Sequence, residues 1–193
     1  MSEKKEPKAT QIIIPCRLSY AHIWEPGLNT DGTPGKYSAS LLVDKKDKGT
    51  IAKIEKATEA AITAGKSTLA NAKGVVVRNK LKLPLRDADE EGVDDPAYEG
   101  MMFLNASSKY QPGIVNRKVE DILDQNEVYS GCYCNVDVNF FAFSREGNKG
   151  IAVGLNNIQK LRDGERLSGG RSAKDAFTVL DDEDGEDGEE DFL

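Results

Sequence analysis

The sequence predicts a mainly β chain with one amphipathic helix, a pattern compatible with a Greek-key barrel. Three patterns predict it: an alternating run that starts at Gln11, a single helical stripe over residues 50–62, and a long alternating hairpin over residues 128–161. In the first run Ile12, Ile14, Cys16, Leu18, Tyr20, His22 and Trp24 share one parity and form the expected core face of a strand. Pro15 lacks an N–H donor, so it places that strand at an edge or a bulge. A loop rich in Gly, Pro, Asn and Asp at residues 25–35 leads to a second strand at residues 36–43. Thr50 is the expected cap of a helix that carries Ile51, Ile54, Thr58, Ala61 and Ile62 on one stripe and stops at Gly65.

Residues 66–100 have no clear period beyond short β segments at 75–77 and 81–85, around a basic group of Arg78, Lys80, Lys82 and Arg86. The carboxylates Asp87, Asp89, Glu90, Glu91, Asp94 and Asp95 follow at once. Clustered carboxylates serve metal-dependent phosphoryl chemistry. These lie in one loop-like run without a histidine or a second cluster, which favours a solvated loop over a metal site.

The late hairpin carries the most information. Val128, Ser130, Cys132, Cys134, Val136, Val138, Phe140 and Ala142 make a small, apolar core face, while Tyr129, Tyr133, Asn135, Asp137, Asn139, Phe141 and Phe143 lie on the other. A four-residue loop at residues 145–148 sets Phe143 opposite Gly150, Phe141 opposite Ala152 and Asn139 opposite Gly154. The aromatics therefore either shield bare backbone, which the sheet alone favours, or border a trough in which flat bases stack. Cys132 and Cys134 read as small core residues, and three cysteines make no disulfide framework. A zinc site is excluded by the lack of a second cysteine pair and by the single histidine, His22, which reads as a half-buried strand residue. No phosphate-binding glycine loop, nucleophile elbow or catalytic constellation is present, so neither an enzyme nor a cofactor is expected.

Charge is unevenly placed. Of 33 acidic residues, nine fall in residues 181–191, which leaves residues 1–180 with 24 acids against all 26 bases, a body of net +2. Such an acidic run cannot bury apolar area and is expected to be disordered. No apolar stretch approaches the roughly 20 residues that cross a bilayer, and the charged N-terminus has no apolar segment behind it.

Several ordered blocks then resemble a known family. They are Leu83-Pro84-Leu85-Arg86-Asp87, Asp95-Pro96-Ala97-Tyr98, Asn105-Ala106-Ser107-Ser108-Lys109, Pro112-Gly113-Ile114-Val115, Val128-Tyr129-Ser130-Gly131-Cys132-Tyr133 and Gly147-Asn148-Lys149-Gly150-Ile151-Ala152, then Gly154-Leu155-Asn156-Asn157-Ile158-Gln159-Lys160. The chain resembles the single-stranded DNA-binding proteins of tailed bacteriophages and prophages over residues 11–178, with Ala88 and Asn116 standing where the family pattern has Gly and Asp. The resemblance implies an OB-fold, a five-stranded Greek-key barrel with a helix and extra hairpin and loops, flanked by an arm at residues 1–10 and an acidic tail at residues 179–193. It implies a non-enzymatic protein that protects single-stranded DNA during phage replication or recombination in the host cytoplasm.

On that reading Tyr129, Tyr133, Phe141 and Phe143 are candidates to stack bases, and Lys149, Lys109, Tyr110, Arg17, Arg78, Lys80, Lys82 and Arg86 are candidates to hold the strand. The tail residues Asp181, Asp182, Glu183, Asp184, Glu186, Asp187, Glu189, Glu190, Asp191 and Phe192 would recruit replication or recombination proteins and compete with DNA. A homo-oligomer is compatible with the pattern. Two rival classes are an assembly protein whose acidic tail binds a basic partner, and a metal-dependent nuclease built on Asp87 to Asp95.

Overall fold

The computed structural model describes residues 8–167. The acidic tail and most of the N-terminal arm lie outside the described residues. Seven strands form one sheet: β1 (Gln11–His22), β2 (Tyr37–Asp44), β3 (Arg86–Asp87), β4 (Met101–Ser108), β5 (Gly113–Val115), β6 (Tyr133–Arg145) and β7 (Asn148–Arg162). Five of them close a barrel in the order β1-β2-β4-β7-β6, because β6 returns to β1 and β4 meets β7 in parallel at Ser107 and Gly154. The short β3 and β5 add to β4 and β7 outside this ring.

The hairpin β6–β7 has the register read from the sequence, with Phe143 opposite Gly150, Phe141 opposite Ala152 and Asn139 opposite Gly154. Cys132, Cys134, Val136, Val138 and Phe140 point into the core, as expected of the small, apolar parity. Cys16 and Cys134 are cross-strand partners there. Burial pushes the Cys16 thiol far above its ordinary range, so it packs as a neutral group. Pro15 sits in the half of β1 that β6 alone pairs, since β2 joins only from Arg17 onward.

Between β2 and β4 runs the helix α1 (Lys48–Ala64), which buries Ile54, Ala57, Thr58, Ala61 and Ile62 against the barrel. The expected cap is corrected here. Asp47 caps the helix by accepting from Thr50 N at 3.0 Å, and Thr50 is itself inside the first turn. A short helix α2 (Lys66–Leu69) follows without a break, Gly65 being where the chain turns hard against Ala142 of β6.

Two expectations for the middle of the chain fail. Residues 75–77 are not a strand, and residues 78–80 form a 3-10 turn. Residues 81–85 form no strand either. Lys82 instead makes one parallel bridge to Gly150, with Lys82 N donating to Lys149 O and Ile151 N donating to Lys82 O, both at 2.9 Å. This strap covers the edge of β7, and a Cβ at Gly150 would collide with the Lys82 carbonyl oxygen. Gly150→Val is thus expected to lower stability by about 1–3 kcal/mol, the usual cost of overpacking. An unchanged denaturant midpoint at unchanged slope would show that the strap yields freely.

The largest correction concerns β1. Its core parity holds through Ile14, Cys16 and Leu18, then reverses, because the pairing with β2 slips between Ser19 and His22 and Tyr20 adopts φ 44°. The bulge re-aims the side chains. Tyr20 and His22 face solvent, and Ile23 takes the buried place.

Candidate nucleic-acid interface

The outer face of β1, β2 and β4 is built by alternation. On β2, Ala39, Leu41 and Val43 enter the core, which leaves Ser38, Ser40 and Leu42 outside. On β4, Leu104 and Ala106 enter it, and Phe103, Asn105 and Ser107 lie outside. Register then aligns Ser38 with Ser107, Ser40 with Asn105 and Leu42 with Phe103. The result is a floor of small polar side chains that stops at an apolar step.

That step is a second small core of Leu42, Ala88, Tyr98 and Phe103, on which Leu167 packs. Tyr98 meets Phe103 edge-on, with ring centroids 5.4 Å apart, and Tyr20 leans over Tyr98 at 6.3 Å. Both inner rings are buried, whereas Tyr20 is 63% exposed. A cavity of about 530 Å³ opens among Tyr20, His22, Ser40, Tyr98, Phe103 and Asn105. A second, of about 560 Å³, adjoins it at Asn105 and is walled by Lys82, Pro84, Arg86, Ser107 and Ala152. Phe141, 47% exposed, stands opposite Ala152 on β6. A continuous track therefore crosses the sheet from Tyr20 to Phe141.

The residues singled out from the sequence fall into separate places. Lys82 and Arg86 line this track, and Lys109 and Tyr110 follow β4 directly, Tyr110 being 81% exposed. Arg86 donates to Glu91 (Nε to Oε1, 2.8 Å) and lies 4.8 Å over the Phe103 ring, so its charge is partly compensated. Arg78 pairs with Glu59 of α1, and Lys80 is exposed without an ion pair among the described residues.

Tyr129, Tyr133 and Arg17 gather in a different patch. Arg162 lies 3.6 Å and Arg17 5.6 Å over Tyr133, and Arg166 lies 4.0 Å over Tyr129. Arg17 also donates to Gly131 O and Glu165 O at 3.0 and 2.9 Å. The Tyr129 hydroxyl donates to Gly164 O at 3.0 Å, and burial raises its pKa. Guanidinium groups thus already cover both rings. At the hairpin, Phe143 is half-buried and Lys149 Nζ donates to Ala70 O. The backbone at Gly154 is shielded and leaves no bare trough, because the Asn139 side chain lies where a Cβ would stand.

The carboxylate run has a structural explanation. Lys45 Nζ pairs with Asp87 and Asp89, each at 2.6 Å, and this hydrogen bonding holds both acids below the usual carboxylate range. Asp95 accepts from Ala97 N to cap a short turn at Pro96–Tyr98. Among the described residues no group of three or more His, Cys, Asp or Glu is placed to hold a metal ion.

Sequence reasoning missed Tyr20, His22, Ser38, Ser40, Tyr98, Phe103 and Asn105 as a constellation. The signal for Tyr20 and His22 was hidden by the bulge, and Tyr98 and Asn105 stood only inside family blocks.

A closed five-stranded barrel whose outer face joins a polar floor, aromatic rings and the basic pair Lys82 and Arg86 has the architecture of the OB class. The profile of the Enterobacter phage Enc34 single-stranded DNA-binding protein family matches residues 10–193, and the chain belongs to that family. The structure of the bacteriophage Enc34 single-stranded DNA-binding protein in complex with ssDNA superposes with a TM-score of 0.70 at 27% identity, covering 83% of this chain and 91% of that one. Protein p50 of Acyrthosiphon pisum secondary endosymbiont phage 1 is 29% identical over 157 residues, covering 80% of this chain and 84% of its own length. The bacteriophage T7 single-stranded DNA-binding protein gp2.5 shares the fold, with a TM-score of 0.57 at 14% identity over 90% of this chain and 98% of that one. The family is one of binding proteins, and the chain is accordingly not an enzyme.

Proposed function

We propose that the protein binds single-stranded DNA along the track from Tyr20 to Phe141, protecting strands exposed in phage replication or recombination in the host cytoplasm. The observation that carries this reading is the track itself, a sheet face with exposed rings at both ends, a hydroxyl and amide floor, and Lys82 and Arg86 in its wall. Rings stack on unpaired bases whatever their identity, and lysines follow the phosphates. Its placement on the strands that OB barrels commonly use for oligonucleotides adds support, as does the complex formed by the Enc34 protein. Residues 11–178 are read as the binding domain. The acidic tail is read as a recruiter of replication proteins and a competitor for the track.

A salt titration on oligo-dT and on the matching duplex tests the reading. The single strand is expected to bind much more tightly. If Lys80, Lys82 and Lys109 each meet a phosphate, log K should fall with log salt at a slope of about −2. Equal affinity for duplex and single strand would overturn the proposal.

Substitutions separate the two aromatic groups. Phe141→Ala is expected to weaken binding by about 1–3 kcal/mol with little change in thermal midpoint. Tyr133→Ala, which removes the ring beneath Arg162 and Arg17, is expected to lower the midpoint and leave the affinity of folded protein unchanged. The reverse pattern would move the site to the Tyr129 and Tyr133 patch.

A further inference from the structure

The floor of the first cavity contains a group that the fold leaves unused. Ser40 is 4% exposed, and its Oγ is the one buried side-chain oxygen or nitrogen among the described residues without a hydrogen-bond partner there. Buried hydroxyls are ordinarily paired, because an unpaired one forfeits its hydration for nothing. Alanine would fill this position in the sheet equally well. Ser40 lines the cavity together with Tyr20 and its own register partner Asn105, an exposed residue.

The chemistry of the lining selects the ligand. The cavity has ring surface from Tyr98 and Phe103, aliphatic surface from Val93, polar groups from His22, Ser38, Ser40 and Asn105, and neither Lys nor Arg. A phosphate there would lose water without a Lys or Arg to pair with. A nucleobase fits on both counts, since its faces suit ring surface and its edge carries donors and acceptors. We propose that this cavity is a subsite for one base of the bound strand, whose edge hydrogen-bonds to Ser40 Oγ and the Asn105 amide.

The subsite is edge-dependent and still tolerant of sequence. A serine hydroxyl donates or accepts by rotating, and an asparagine amide offers both a donor and an acceptor. Each natural base can therefore be satisfied, and only a base without a polar edge is refused. The inference rests on the proposed track and adds hydrogen bonding to a recognition mode otherwise made of stacking and charge.

The test compares oligo-dT with the same strand built from difluorotoluene nucleotides, which keep the shape of thymine and lack its hydrogen-bonding edge. Wild-type protein is expected to bind the isostere about 5- to 10-fold more weakly, the size of one or two net hydrogen bonds. Ser40→Ala should bind oligo-dT more weakly, bind the isostere as the wild type does, and so compress the ratio. Asn105→Ala, at an exposed position that does not threaten folding, should compress it too. Equal binding of both strands by the wild type, or an uncompressed ratio in both variants, would overturn the subsite. If Tyr20→Ala and Lys82→Ala also left oligo-dT affinity unchanged, the track itself would fall. If those two weakened binding while the ratio stayed put, only the subsite would fall.

Discussion

Tyr20→Ala is expected to weaken binding to a short oligo-dT by about 1–3 kcal/mol, the measured range for loss of one stacked base, or roughly 5- to 150-fold. Tyr20 holds φ 44°, a conformation that a bulky residue adopts only when its surroundings impose it. Those surroundings are visible: the pairing of β1 with β2 slips between Ser19 and His22, and Ser130 Oγ accepts from Ala21 N at 2.9 Å. The fold thus accepts local strain to place an aromatic ring, 63% exposed, at the mouth of a cavity. Removing the ring takes away little packing, so the thermal midpoint should hold or rise. Phe103→Ala is the contrasting variant. Phe103 is buried against Tyr98, Leu42 and Ala88, and its loss should cost about 3–5 kcal/mol of stability. A Tyr20→Ala protein that is less stable and binds normally would show that the bulge serves the fold alone.

This site shows why the sequence was informative about the barrel and less so about its face. The hairpin β6–β7 was legible residue by residue because a tight loop fixes register and one parity is uniformly small and apolar. In β1 the same parity argument worked to Leu18 and failed beyond it, since a bulge shifts the period without changing composition. Strand β4 left no clean alternation at all. Met101, Met102, Phe103 and Leu104 are apolar on both parities because the outward Phe103 faces the second small core. The basic residues were legible as a group and not as partners. Glu59, some twenty positions from Arg78, neutralises it only because α1 folds back beside the 3-10 turn. Ser40, Asn105 and Tyr98 come together from β2, β4 and the preceding loop, a juxtaposition that only the register of the sheet creates.

Deleting residues 181–193 is expected to strengthen single-strand binding, by roughly tenfold at 0.01 M salt and by little at 0.15 M. The deletion removes nine of the 33 acidic residues and leaves a body of net +2. Arg17 donates to Glu165 O, Leu167 N donates to Ser130 O at 3.0 Å, and the Leu167 side chain packs on the core that contains Tyr98 and Phe103. Leu167 therefore lies beside the track. From Leu167 the acidic run starts 14 positions on, a length of chain that spans at most about 50 Å, so its carboxylates can reach the lysines along the face. Exposed ion pairs contribute up to about 1 kcal/mol each, and displacing one or two of them accounts for the tenfold gain. Screening sets the salt dependence, because the Debye length shrinks from about 30 Å at 0.01 M to about 8 Å at 0.15 M. Phe192→Ala removes no charge, so it should leave DNA affinity alone while weakening association with replication proteins. If the truncated protein bound DNA like the full chain at every salt concentration, the acidic run would not compete for the track, and recruitment would be its remaining role.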